Sequence, residues 1–240
     1  MKMQRISNLV LKFSVVAGLI TGWSSCLKNN AGQTTPAATQ TYISVMNFAY
    51  SAPPAELYLN TTKVTNSISP GLYFPSYSNA AAGSYEMIFK KAGADSLLAS
   101  IPSALYDTSQ YNTLILYSDT NGIAKAFRVI DDYSLLTNGT SFFRFFSMST
   151  EVPRADLYIG SSKVASFRTM ADNATNNTYN QFSSFTSGTY TVQAKLTGSD
   201  SVLATITSLN LIQGSAYTIF LHGKSGIGNP GLKLEALRAN

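Results

Sequence analysis

Two acidic residues, each followed two positions later by a tyrosine, have the chemistry to recognise a ligand. Glu56 and Tyr58 stand in the run AELYLN, and Asp156 and Tyr158 stand in the run ADLYIG. Residues i and i+2 of a strand point to the same face, so each acid and its tyrosine share the face opposite the aliphatic residues. The ring could stack on a sugar while the carboxylate accepts hydrogen bonds from its hydroxyl groups. These pairs are predicted to bind a ligand on the outward face; alternatively, each tyrosine packs on a cross-strand neighbour.

Four aromatic residues in predicted loops are alternative contact points for a ligand. They are Tyr73, Phe74, Tyr77 and Tyr179. Aromatic side chains are frequent in recognition surfaces because they supply contact area at low conformational cost.

A short motif that occurs twice predicts covalent modification. Asp95-Ser96-Leu97 and Asp200-Ser201-Val202 match the Asp-Ser/Thr-apolar pattern that Bacteroidetes O-glycosylate, and both stand in predicted hairpins. Ser96 and Ser201 are therefore candidate O-glycosylation sites.

Residues suited to catalysis or metal binding are scarce. A Ser-His-Asp arrangement would need His222, the only histidine, and a histidine at a strand end is more often structural. Zinc requires three or four His, Cys or carboxylate ligands, and Cys26 is the only cysteine. Asp131 and Asp132 could bind a cation, but an acidic pair in a linker is usually solvated. We expect no enzymatic activity, no metal and no cofactor.

The elements that must carry these residues are strands. Runs such as TYISVMNFA, SYEMIFKK, YNTLILYS and AKAFRVID are short, rich in β-branched and aromatic residues, and separated by Gly, Pro, Asn and Asp. No window predicts a convincing amphipathic helix. The predicted class is all-β.

An internal repeat organises these strands into two units. Residues 55–64 match residues 155–164 at an offset of 100, and residues 83–85 and 113–116 match later runs at an offset of 105. Two constant offsets indicate two homologous units, with five extra residues in an exposed loop near residues 171–181. Each unit has room for about seven strands, which favours two tandem immunoglobulin-like or related β-sandwiches.

The sequence predicts five consecutive segments in the chain. Residues 1–25 are predicted as a lipoprotein signal peptide and 26–41 as a lipidated N-terminus and flexible tether. Residues 42–132 form the first sandwich, 133–141 a linker, and 142–240 the second sandwich.

The two units resemble a known family. NFAYSAPPAELYLN followed by AAGSYEMIF, and FSMSTEVPRADLYIG followed by TSGTYTVQA and GSAYTIFLHG, are similar to the domain of unknown function family 4397 (DUF4397). Glu56 departs from the usual Asp, and the Ser-Pro turns are degenerate in both copies. The resemblance implies a secreted or surface β-sandwich module without an assigned activity.

The first 26 residues predict the location of the protein in the cell. A basic start, an apolar run over residues 13–20 and the small residues Ser24 and Ser25 precede Cys26. This segment resembles a bacterial lipoprotein signal of the relaxed type found in Bacteroidetes, although Trp23 replaces the usual aliphatic residue. The resemblance implies lipidation at Cys26 and attachment to the outer membrane. Ordinary signal cleavage is the alternative.

Charge excludes one class of partner. Charged residues make up only 12% of the chain, and removal of residues 1–25 leaves 14 basic and 12 acidic residues. We expect no nucleic-acid binding because no basic stripe could follow a phosphate backbone. A lipid-anchored, non-enzymatic binding or adhesion module for an extracellular glycan or protein fits best. A purely structural envelope protein, or less so an unrecognised glycan-active enzyme, is the alternative.

Overall fold

Sixteen strands account for most of residues 39–225 and 231–239, the part of the chain described by the computed structural model. The predicted signal peptide, Cys26 and most of the predicted tether lie outside the described residues.

The first eight strands form one half of the fold, which we call half 1. Their bounds are β1 Gln40–Phe48, β2 Ala55–Leu59, β3 Thr62–Lys63, β4 Ser78–Ala81, β5 Gly83–Lys91, β6 Leu97–Tyr106, β7 Tyr111–Ser118 and β8 Ala124–Asp131.

The remaining eight strands form half 2. Their bounds are β9 Ser141–Ser147, β10 Ala155–Ile159, β11 Ser162–Arg168, β12 Ser183–Phe185, β13 Gly188–Leu196, β14 Val202–Leu211, β15 Ala216–His222 and β16 Lys233–Arg238. Between β11 and β12 lie a one-turn helix, α1 (Asp172–Thr175), and a 3₁₀ turn, Asn177–Asn180.

Each half is a sandwich of two four-stranded sheets, and the two halves have the same strand order. Half 1 has the sheets β4-β1-β7-β8 and β3-β2-β5-β6, and half 2 has β12-β9-β15-β16 and β11-β10-β13-β14. In both halves the first and seventh strands pair in parallel, and the other pairings are antiparallel. The predicted all-β sandwich class is confirmed, with eight strands in each half rather than about seven.

The segment predicted to hold the five extra residues is mostly exposed, but two of its asparagines are buried. It contains α1 and the 3₁₀ turn, and the side chains of Asn173 and Asn180 are buried. Asn173 donates a hydrogen bond to the Asn180 side chain at 2.9 Å, and Asn180 donates one to the Asn173 carbonyl at 3.0 Å. The prediction of an exposed loop fits most of residues 171–181 and fails at Asn173 and Asn180, whose paired amides satisfy each other away from water.

The sheets that contain β1 and β9 are covered on both faces. Strands β9 and β15 are buried at every residue. The outer strands β6 and β14 contain exposed residues as well as buried ones. One face of each inner sheet packs inside its own sandwich. The other faces meet in a third hydrophobic cluster between the halves, which includes Met46, Phe48, Ile115, Phe146 and Phe220. Four sheets therefore stack within one compact unit.

A fully buried ion pair joins the two halves at this interface. Arg144 in β9 places Nη2 2.6 Å from Oδ1 of Asp131 at the end of β8, and both side chains are inaccessible to solvent. Arg144 also donates hydrogen bonds to Thr218 Oγ1 and to the Asn180 carbonyl. The prediction that Asp131 is a solvated linker residue is wrong, because its charge is neutralised inside the fold. Asp132 is exposed.

Hydroxyl donors complete the environment of the Asp131 carboxylate. Thr113 and Tyr77 donate hydrogen bonds to Oδ2 at 2.7 and 2.8 Å, and the Tyr77 and Tyr133 hydroxyls lie 2.6 Å apart. Burial and the nearby carboxylate raise the pKa of Tyr77, and they raise the pKa of Tyr133 to about 12. Both phenols therefore remain protonated donors at neutral pH.

Breaking this pair from one side is expected to destabilise the protein strongly. Arg144→Met leaves the Asp131 charge buried without its partner, a change that costs about 3–5 kcal/mol of unfolding free energy. Replacing both residues, as in Arg144→Met with Asp131→Leu, should recover much of that loss. Chemical denaturation measures these differences.

The matched control breaks the ion pair between Lys90 and the exposed Asp95. Asp95→Ala should change stability little, because solvent screens exposed charges. Equal effects of Arg144→Met and Asp95→Ala would show that the buried pair does not hold the halves together.

Candidate functional site

Glu56 is buried and is engaged by its own domain. Its residue exposure is 6%, its Oε1 lies 2.8 Å from Lys63 Nζ, and it accepts hydrogen bonds from the Gly93 amide and the Tyr58 hydroxyl, each at 3.3 Å. The hydrogen bond from Lys63 is the main reason that the pKa of Glu56 is lowered. The prediction that Glu56 presents an open, outward carboxylate is wrong, because neighbouring strands and turns cover this carboxylate.

Asp156 occupies the equivalent position in half 2 and is also covered, with 3% exposure. It accepts hydrogen bonds from Lys163 Nζ at 2.8 Å, Thr197 Oγ1 at 2.6 Å and the Phe167 amide at 2.9 Å. Burial acts to raise the pKa of Asp156, but hydrogen bonds, led by those from Lys163 and Thr197, outweigh it and lower the pKa. Asp156 thus ties β10 to an irregular part of β11 and to the turn after β13.

The two tyrosines of the predicted pairs are partly exposed and lie beneath lysine ammonium groups. Lys90 Nζ is 4.8 Å from the ring centre of Tyr58, and Lys195 and Lys163 are 4.7 and 5.5 Å from that of Tyr158. Such cation–π contacts favour the alternative in which each tyrosine packs on its neighbours. Ligand binding by Glu56, Tyr58, Asp156 and Tyr158 stays a prediction. The buried carboxylates of the two acids are not open to a ligand in this structure.

The four predicted loop aromatics divide into two groups. Tyr73 packs edge-on against Phe220 at the interface between the halves, and the Tyr77 hydroxyl donates a hydrogen bond to Asp131. Phe74 and Tyr179 remain 43% and 39% exposed. Each of these two lines a cleft.

The candidate O-glycosylation sites are accessible. Ser96 and Ser201 are exposed in the turns that join β5 to β6 and β13 to β14, where hairpins were predicted. Their modification stays a prediction.

A cleft opens between the two sheets of half 1 beside the edge strands β3 and β4. Its volume is about 380 Å³. The walls come from both sheets and from the chain between β3 and β4; they are Ile43, Val45, Leu57, Leu59, Val64, Thr65, Asn66, Ser67, Phe74, Ser78, Asn79 and Ala80. An apolar interior with polar groups near its edge is typical of small-molecule sites.

Half 2 has a cleft of about 200 Å³ at the corresponding edge, with a different lining. Phe143 and Phe145 of β9 form part of it, together with Arg144, Arg168 and Tyr179. Arg168 is buried, lies 3.1 Å from an oxygen of Asp172, and stacks 4.0 Å from the ring centre of Tyr179. The aromatic ring at this cleft is therefore held in place by a charged, hydrogen-bonded support.

Phe167 lies beside this second cleft in an unusual conformation that sequence reasoning missed. Its φ is +57°, a region that residues other than glycine seldom occupy, and its side chain is 61% exposed. The Phe167 amide is held by Asp156, and the pairing of β10 with β11 is irregular here. The only sequence signal is the acid at position 156, because no local motif predicts a left-handed phenylalanine. An exposed aromatic residue held in a strained backbone conformation suggests a functional role.

His222 is the last residue of β15, as predicted, and lies at the interface between the halves. It is 2% exposed, with Nδ1 2.6 Å from the Tyr50 hydroxyl and Nε2 3.2 Å from Glu235 Oε2. Burial lowers the pKa of His222, although Glu235 acts in the opposite direction. Burial, followed by the charge of Glu235, raises the pKa of Tyr50 to about 12. His222 therefore bridges the halves as a neutral ring.

Within residues 39–225 and 231–239, no three His, Cys, Asp or Glu side chains come together in a group that could hold a metal ion.

The buried histidine predicts a pH dependence of stability. Because its folded-state pKa lies below the ordinary value of about 6.5, the unfolded chain takes up the proton first as the pH falls. The stability contributed by neutral His222 is complete above that ordinary value and is lost as the pH falls toward the folded-state pKa. Denaturation curves from about pH 7.5 down to about pH 5.5 should show decreasing stability in this window.

His222→Gln is the informative variant because the chain has no other histidine. It should flatten the pH dependence in this window while lowering stability at neutral pH. The same slope in both proteins would contradict a buried neutral His222.

Comparisons with known proteins support one of the expectations from the sequence. A search for similar curated proteins found no significant match. Residues 41–158, which span half 1 and the first two strands of half 2, match the family model described as "Domain of unknown function (DUF4397)". Residues 41–158 of this chain are therefore similar to the DUF4397 family.

Proposed function

We propose that this protein is a non-enzymatic binding module of a bacterial cell envelope that captures an extracellular glycan or protein. In this proposal half 2 is a second copy of the family domain. The shared strand order of the halves and the matching runs at offsets of 100 and 105 support that duplication.

The observation that carries the binding role is the aromatic surface of half 2, formed by Phe167 and Tyr179. Phe167 is exposed at a positive φ, and Tyr179 is exposed while its ring rests on Arg168. Exposing an apolar ring in strained backbone is unfavourable for a free domain, so a gain on binding would offset that cost. Neighbouring polar groups of the cleft, such as Gln181 and Ser183, could accept or donate hydrogen bonds to sugar hydroxyls.

Membrane attachment in this proposal depends on Cys26. The described residues contain no helix long and apolar enough to cross a bilayer. Acyl chains on the cysteine would supply an anchor, at about 0.8 kcal/mol for each buried CH₂ group. The signal-like residues 1–25 support an outer-membrane lipoprotein of the Bacteroidetes type.

A purely architectural role in the envelope is the second candidate. It is favoured by the four stacked sheets, whose two halves share an ion pair and a hydrophobic cluster. A glycan-active enzyme has less support, because both repeated acids of the AELYLN and ADLYIG runs form internal hydrogen bonds.

Glycan-array binding tests the recognition surface. Phe167→Gly removes the ring and also suits the positive φ, so we expect the fold to be kept or stabilised while affinity falls roughly tenfold. Tyr179→Ala should weaken binding similarly. Leu97→Ala removes an equally exposed apolar side chain from half 1 and serves as the control.

Two results would argue against this surface. Unchanged binding in Phe167→Gly and Tyr179→Ala would show that the ligand contacts a different surface. No binding of the unaltered protein to any glycan would exclude the glycan form and leave a protein ligand or the architectural role.

Metabolic labelling with a palmitate analogue tests the anchor. The label should be incorporated by the unaltered protein and be lost in Cys26→Ala, since the thiol is the only acceptor of the predicted type. Undiminished label in Cys26→Ala would contradict lipidation at this residue.

A further inference from the structure

The cleft of half 1 differs from that of half 2 through three substitutions of small for large side chains. The repeat places Ile43 and Val45 of β1 where half 2 has Phe143 and Phe145 of β9. Ala80 of β4 corresponds to Phe185 of β12 by the offset of 105. The rings of Phe143 and Phe185 contact edge to face, with centroids 6.1 Å apart. Aromatic rings therefore narrow the edge of half 2, and the same region of half 1 is more open.

The open region lies between well-packed strands and is not produced by a poor core. Ile43, Val45, Leu57 and Leu59 are all at least nine-tenths buried, and they belong to the core cluster of half 1. The cleft they line has a volume of about 380 Å³, against about 200 Å³ in half 2. Val64 and Phe74 stand at its entrance and are 47% and 43% exposed. A ligand entering here would cover apolar surface that is now in water, which favours binding.

The charge of the lining selects the kind of ligand. None of the residues that line the half 1 cleft has an ionisable side chain, whereas the half 2 cleft has Arg144 and Arg168. A charged group placed inside would lose hydration and meet no opposite charge. The polar rim of half 1 consists of hydroxyls and amides, such as Ser78 and Asn79, that form hydrogen bonds with neutral groups.

From these observations we propose that half 1 binds an uncharged small molecule with an apolar ring or branched aliphatic part, inserted between the two sheets at the β3–β4 edge. This site lies in the other half from the Phe167 and Tyr179 surface and does not depend on the proposed capture of a glycan or protein. The occupant sits on Ile43, Val45 and Leu57, and its polar end faces the rim.

Fluorescence titration with a neutral apolar probe, N-phenyl-1-naphthylamine, tests the site in the full chain. The unaltered protein should bind it saturably. Ala80→Phe introduces the ring that half 2 has at this position and should weaken binding by roughly tenfold or more, because the ring occupies the space of the probe. Leu97→Ala, at an exposed position of half 1 outside the cleft, is the control and should leave the affinity unchanged.

A second pair of measurements keeps the test decisive if Ala80→Phe folds poorly. Phe74→Ala alters only a partly exposed wall, so it should fold and bind the probe several-fold more weakly. The anionic relative 8-anilinonaphthalene-1-sulfonate carries a similar ring system and should bind more weakly than the neutral probe.

Three outcomes would overturn the proposal. They are no saturable binding of the neutral probe, full binding by folded Ala80→Phe or Phe74→Ala, and binding of the anionic probe as tight as that of the neutral one. Loss of glycan or protein capture in Phe167→Gly with intact probe binding would concern the other surface alone.

Discussion

Burial of the inner sheets on both faces is the constraint on which the rest of this structure depends. Strands β1, β7, β9 and β15 have to be apolar on the side that faces their own sandwich and also on the side that faces the other half. Parallel pairs generally occur in sheets covered on both faces, and both parallel pairs of this protein lie in these sheets. The halves consequently stabilise each other through a hydrophobic layer that neither could cover alone.

A buried ion pair inside such a layer has a selective rather than a purely stabilising effect. Removing Arg144 and Asp131 from water is costly, and their attraction offsets that cost only with good geometry and further hydrogen bonds. Thr113, Tyr77 and Thr218 provide those bonds. The arrangement can form only when the end of β8 meets the middle of β9, so it favours one relative placement of the halves over other apolar contacts.

Once the inner sheets are engaged, the outer edges are the parts of each half that can diverge. The Asp156 carboxylate organises β11 of half 2 around a left-handed Phe167, while the longer Glu56 of half 1 reaches the Gly93 amide instead. At the neighbouring edge, aromatic residues narrow the cleft of half 2, and smaller residues widen that of half 1. Two copies of one scaffold thereby present two different surfaces, one aromatic and arginine-supported and one apolar and uncharged.

The sequence by itself determined the all-β class, the strand positions and the duplicated pattern, because period-two alternation and turn residues are local signals. The repeat also located the extra residues between β11 and β12. Only the tertiary structure decided the task of individual polar residues. Asp131, Glu56, Asp156 and His222 look solvated, outward or at a strand end when the strands are considered singly, and each is covered by an element distant in the chain. Which face of a strand meets solvent depends on what packs against it. The periodicity of one strand does not indicate whether a second sheet covers that face.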